Sequence, residues 1–238
     1  MTLRWLICFS FGLQSLAAAT VTGRVELRDS HDPSVRNRKD YSGVVVSLRP
    51  AQNTPLQSVS EPARHIVMLQ KDKTFSPHVL AIPMGTMVDF PNADPIFHNA
   101  FSSYSGQIFD IGLYPPGSTR AVRFAREGVV RVFCNIHSEM SAVIVVVATP
   151  YFATTKRDGT FEITGVSPGE YDLKVFHERA AEAALEALSR KVIVGMDGAS
   201  LPPLGISEAG YLSIPHKNKY GHDYSPEPAD RPGYTGKK

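Results

Sequence analysis

Cysteine is nearly missing from this chain, with Cys8 and Cys134 the only two in 238 residues. A disulfide framework is therefore excluded as the main source of stability. Charge of one sign is also lacking. Lys and Arg number 25 against 23 Asp and Glu, a formal net charge of +2. That balance argues against a nucleic-acid binder working by phosphate neutralisation. No apolar run reaches the ~20 residues of a spanning helix, so no membrane span is expected. No hydrolase elbow, phosphate loop or paired-carboxylate site stands out. Disorder is excluded as well, since 42% of residues are hydrophobic and only 20% charged. This is enough for one large domain or two small ones. What the chain does have is 18 Gly and 18 Pro, which suits many short strands and turns better than long helices.

Residues 1–19 have the order of a cleavable signal peptide. Arg4 is the positive region, Trp5 to Leu13 the short apolar core, and Ala17-Ala18-Ala19 the small-residue cleavage site. Cys8 lies inside the apolar core, against a lipoprotein signal. The expected location is periplasmic or secreted. Cleavage removes Cys8 and leaves Cys134 with no internal partner. Such a leftover cysteine is a partner-linking thiol, a reactive thiol or a metal ligand.

Alternation and turn signals predict an all-β chain. Strands are expected over 21–29, 43–48, 66–70, 79–82, 87–90, 121–124, 129–133 and 142–147, then 152–155, 160–163 and 171–176, with another from 191 to 194. Residues 30–40 read as a loop and 49–62 as a Pro-rich connection. Asp158-Gly159 is a hairpin signal. One short helix is expected near 178–191, where Ala181, Ala184, Leu185 and Leu188 recur at helical spacing. The tail 215–238 has no apolar period and is expected to be flexible, partly ordered at best.

The chemistry concentrates in Phe133-Cys-Asn-Ile-His-Ser-Glu-Met140, a C-x2-H-x2-M pattern of Cys134, His137 and Met140. Upstream, His98 follows a strand and a turn in Asp94-Pro-Ile-Phe-His-Asn99. A thiolate, two imidazoles and a thioether are the ligand types of a blue-copper centre. The soft thiolate suits both copper oxidation states, imidazole tolerates both, and a thioether binds weakly on the axis. Singly, each residue is more often a core side chain or a solvated histidine; together and in this order they point to one metal. Glu139 beside Met140 is a competing axial oxygen. The long segment 101–120, with Tyr104, Tyr114 and Pro115-Pro116, is placed to cover the site. His65, His78 and His177 read as structural, and His216 and His222 as tail residues.

On these residues the chain resembles the cupredoxins. The short Cys134–Met140 loop is like that of the amicyanins. The His98-Asn99 pair matches too, as does Phe75-Ser-Pro followed by Val79 to Phe90. The resemblance covers roughly residues 64–148. It implies a Greek-key cupredoxin β-sandwich over 62–149 and one type 1 copper ion. His98, Cys134 and His137 would lie in plane and Met140 on the axis. In that family the Asn after the first His ties the two ligand loops together, which gives Asn99 that role. The resemblance further implies one-electron transfer through His137, past an apolar patch of Pro95, Ile96, Phe97 and Ile136, to a redox partner such as a cytochrome or dehydrogenase. One ligand set, with no further paired histidines, argues against a copper oxidase or nitrite reductase, so the chain is expected to be no enzyme. A copper carrier or store would share these ligands, and a metal-free scaffold would merely bury Cys134.

Flanking this region, Thr22-Gly-Arg-Val25, Ser42 to Leu48, Thr154 to Phe161 and Val166 to Leu173 resemble the carboxypeptidase regulatory-like domain, a transthyretin-like sandwich. The expectation is a second small β-sandwich, discontinuous over 20–57 and 150–200, with the copper unit inserted after its second strand and a scaffold or interaction role.

Overall fold

The computed structural model describes residues 18–51, 64–103, 106–212 and 215–224. The expected signal segment up to residue 17, most of the 49–62 connection, Tyr104 and residues 225–238 of the tail lie outside the described residues. In chain order the strands begin with β1 (Ala19–Arg28), β2 (Val45–Pro50), β3 (His65–Val67), β4 (Leu69–Lys71), β5 (Thr74–Ser76) and β6 (Val79–Pro83). They continue with β7 (Met87–Pro91), β8 (Phe101–Ser102), β9 (Phe109–Asp110), β10 (Thr119–Arg123), β11 (Gly128–Phe133) and β12 (Ser141–Val147). The last six are β13 (Phe152–Thr154), β14 (Thr160–Val166), β15 (Gly169–Phe176), β16 (Arg190–Val194), β17 (Ala199–Ser200) and β18 (Leu204–Ser207). Two short helices, α1 (Pro33–Arg38) and α2 (Glu182–Glu186), complete an otherwise all-β chain.

Strand pairing sorts these elements into two groups. In the first, β1 pairs antiparallel with β14 and parallel with β17 and β18, and a second sheet runs β13-β2-β15-β16. Val21, Val25, Leu48, Phe161, Tyr171 and Leu173 fill the core between them. In the second group, one sheet runs β10-β7-β3 and another β6-β12-β11-β8-β9, with β4-β5 as a separate hairpin. Its core holds Ile82, Phe90, Phe124, Val130, Val132 and Ile144, and also Cys134 and Met140.

The continuous apolar run of β12 explains how the groups meet. Successive strand side chains point to opposite faces. Ala142, Ile144 and Val146 enter the second core, while Val143, Val145 and Val147 form a third cluster with Val45 of β2. Val79 and Ala81 of β6, Phe152 and Phe176 pack on that cluster. Each fully buried aliphatic side chain contributes about 1.5–3 kcal/mol of transfer free energy, so this contact is a real junction. Beside it runs a polar seam. His78 Nε2 lies 2.9 Å from the Glu178 carboxylate, and Arg179 bonds Asp32 and Glu208 at 3.2 and 3.0 Å. His177 Nε2 donates to Glu208 at 2.6 Å.

The structure corrects the sequence reading in four places. Residues 33–38, read as loop, form α1: the Asp32 carboxylate accepts from Ser34 N–H at 2.7 Å, and Pro33 opens the helix. The helix expected over 178–191 shrinks to α2, because Ala181 at its N-cap supplies no side-chain bond and Arg190–Val194 pairs with β15 instead. The strand expected over 66–70 breaks at Met68 into β3 and β4, whose partners are β7 and β5. Asp158-Gly159 does turn the chain, with Gly159 at φ 82°. Yet β13 pairs with β2 and β14 with β1, so the turn carries the chain between sheets and closes no two-stranded hairpin.

Candidate metal centre

Cys134 and Met140 stand at the two ends of the loop that joins β11 to β12. Phe133 and Ser141 are paired across that hairpin, so the seven residues between them must fold back tightly. The Cys134 N–H donates to the Met140 carbonyl at 3.0 Å, and the Met140 N–H to the His137 carbonyl at 3.2 Å. These bonds turn Cys134, His137 and Met140 inward. All three are buried, with Met140 in the same apolar cluster as Cys134.

His98 arrives from a different segment. Its backbone forms a two-way bridge with Tyr114, His98 N–H donating at 3.2 Å and Tyr114 N–H donating back at 2.9 Å. Tyr114 is itself anchored, its hydroxyl donating to the Phe90 carbonyl at 2.9 Å. Burial pushes that phenol well above its ordinary pKa, so it stays a neutral donor.

The potential ligand atoms of His98, Cys134 and His137 all lie within 4.8 Å of one another. Cys134 Sγ is 3.8 Å from His98 Nδ1 and 3.5 Å from His137 Nδ1. Metal bonds of about 2.0 Å to nitrogen and 2.3 Å to sulfur, at trigonal angles, put sulfur and nitrogen about 3.7 Å apart. Both sulfur–nitrogen separations are those of a shared ion.

The His98 ring is set by Asp94. Its Nε2–H donates to the Asp94 carboxylate at 2.7 Å, which leaves the Nδ1 lone pair facing Cys134. Asp94 is fixed in turn by the N–H groups of Asp72 and Lys73 at the tip of the β4-β5 hairpin, at 2.6 and 2.9 Å. Burial alone would raise the Asp94 pKa. The Lys73 N–H, His98 and the Asp72 N–H together hold it below the usual carboxylate range. A carboxylate behind a ligating imidazole fixes tautomer and raises basicity.

Asn99 is fully buried and joins the two ligand-bearing segments. Its Oδ1 accepts from the Asn135 N–H at 3.2 Å, and its Nδ2 donates to Asp110 at 2.7 Å.

The structure thus brings His98, Cys134 and His137 together, with Met140 in the same buried cluster as Cys134 and Asn99 bonded to Asn135 of the loop. Glu139 is exposed and lies outside the ligand group. His65 bonds Asp89, and His78 bonds Glu178 and the Ser141 carbonyl, so neither belongs to the His98–Cys134–His137 group. Sequence reasoning missed Asp94. Its signal was the i, i+4 spacing to His98, hidden by reading Asn92 to Pro95 only as a turn. It missed residues 215–224 as well, which pack onto the ligand loop.

No protein-family model matches the chain, and no curated protein matches it. Solved structures do, and the structural neighbours are cupredoxins. A purple cupredoxin from Nitrosopumilus maritimus is 26% identical over 35% of this chain and 99% of its own, with TM-score 0.32. A copper-containing nitrite reductase from Thermus scotoductus is also 26% identical, over 42% of this chain and 27% of its own, with TM-score 0.34. A reduced variant of amicyanin is 16% identical over 43% of this chain and 98% of its own, with TM-score 0.34.

Proposed function

We propose that this is an exported type 1 copper protein that carries one electron between redox partners. The observation that carries this reading is the buried cage of one thiolate and two imidazoles, presented by two loops that hydrogen bonds already hold in place. Bound copper supplies a reversible one-electron couple. The chain's own residues do the rest. Cys134, His98 and His137 would hold the ion with Met140 as a further ligand, and Asp94 orients the His98 ring. Asn99 fixes one ligand loop against the other. Because hydrogen bonds fix both loops, a change of charge at the site would require little movement.

Of these three residues, His137 is the most exposed, at 8%. Phe97, next to His98, is 50% exposed and Ile136, next to His137, 39%; Pro95 is exposed and Ile96 half-buried. That apolar patch suits the small, weak contact of a transient redox encounter. A cytochrome or a dehydrogenase is the partner class proposed. For residues 20–57 and 150–200 we propose a carboxypeptidase regulatory-like scaffold into which the copper unit, 62–149, is inserted. The signal-like N-terminus supports a periplasmic or secreted location. Among the described residues no helix is long and apolar enough to cross a membrane.

Copper-loaded protein challenged with excess chelator, then titrated with a one-electron reductant, tests the role. The reading expects slow metal loss and a reversible one-electron couple. Rapid stripping would favour a copper carrier or store, and failure to take up copper would leave a metal-free scaffold.

A further inference from the structure

We propose that residues 215–224 form a strap that clamps the copper-ligand loop and slows release of the metal. The inference rests on the copper reading for its consequence, though not for the clamp itself. The strap is a structured turn. Asn218 Oδ1 accepts from the N–H groups of Tyr220 and His222 at 2.9 and 3.1 Å, and the Asn218 N–H donates to the His222 carbonyl at 2.9 Å.

From that turn four contacts reach the site. The Tyr224 hydroxyl donates to the Cys134 carbonyl at 2.6 Å. The Lys219 N–H donates to Asn135 Oδ1 at 2.9 Å. The Lys219 ammonium bonds Asp110 at 2.8 Å. The His216 ring stacks on Phe133, centroids 4.2 Å apart. Two of these contacts close circuits. The peptide unit after Cys134 is gripped at both polar ends, its carbonyl by Tyr224 and its N–H by Asn99. Asn99, Asn135, Lys219 and Asp110 form a ring of hydrogen bonds, since Asp110 also accepts from Asn99.

The peptide that carries the thiolate ligand is therefore fixed by the C-terminal segment as well as by its own hairpin. Removing the strap takes these four contacts away and leaves the loop its bond to Asn99 and its internal bonds. Cys134 and His98 are wholly buried, so a clamp on that loop would also slow loss of the metal they hold.

The test compares wild type with Tyr224→Phe and with a chain lacking residues 215–238. Two readouts are taken: amide hydrogen exchange at Asn135 in the metal-free protein, and chelator-driven copper release from the loaded protein. Loss of one hydrogen bond in Tyr224→Phe is expected to speed both by about fivefold. Loss of the whole strap should speed both by roughly tenfold or more. Unchanged Asn135 exchange in both variants overturns the clamp. Faster exchange with unchanged copper release overturns the claim that the clamp retains metal. If wild type takes up no copper while exchange still accelerates in the variants, the copper reading fails and the clamp stands. Tyr224→Phe keeps the test sound should the truncated chain fold poorly.

Discussion

Asp94 shows how much a single carboxylate contributes to a site it does not line. Its charge is held by two backbone N–H groups from a hairpin tip, and it spends that charge on one imidazole N–H. Asp94→Asn keeps an acceptor but removes the negative charge. It is expected to cut copper affinity by about 10- to 100-fold, the usual cost of losing an outer-shell partner, while leaving the thiolate-to-copper band in place. Competition titration against a chelator of known affinity checks this, and unchanged affinity would contradict it. At this scale the convergence of Cys134 and His137 was legible in the sequence, since they share one short loop with Met140. Asp94 was not, because nothing local says that the Asp72-Lys73 turn, some 20 residues away, hands it two N–H donors.

Among elements, β12 was readable as a strand but not as a strand buried on both faces. An unbroken apolar run is compatible with either a buried strand or a buried helical segment; only its neighbours decide. The α1 helix carried its own signal in Asp32-Pro33, an N-cap followed by proline, which the polar composition of residues 30–40 concealed. The hairpin signal at Asp158-Gly159 specified a turn and could not specify the sheet of each flanking strand. The elements also meet through His78, at the start of β6, and Glu178, just past β15. The Glu178 hydrogen bond raises the His78 pKa above 6.5 although burial opposes it. The ion pair thus contributes fully below the unfolded value of 6.5 and is lost as pH rises through the folded value. The His78 side chain is half exposed, so the contribution is about 0.2–1 kcal/mol. Nearby His177 titrates in the opposite sense, burial lowering its pKa; comparing wild type with His78→Gln at each pH isolates the His78 share. Thermal denaturation is expected to show His78→Gln less stable than wild type at pH 5.5, with the gap closing toward pH 9. A gap that widens with pH would contradict the assignment.

Across the whole molecule, two cores meet through a third apolar cluster. Val143, Val145 and Val147 on one side and Val45 on the other carry most of that junction. A charge placed there has no partner and costs several kcal/mol unless the surfaces part. Val145→Asp is expected to split a single calorimetric unfolding transition into two, whereas a single transition at lower temperature would show that the cores cannot fold separately. The apolar patch around His137 gives a second test at this scale. Phe97→Ser is expected to slow electron exchange with a redox partner severalfold without moving the absorption band, and an unchanged rate would place partner contact elsewhere.

Copper binding by the Cys134 thiolate between two imidazoles is tested by an absorption spectrum of the Cu(II)-loaded protein beside Cys134→Ser. An intense visible thiolate-to-copper band is expected in the wild type and its loss in the variant. A colourless wild-type protein, or a band that survives the loss of Cys134, would contradict it.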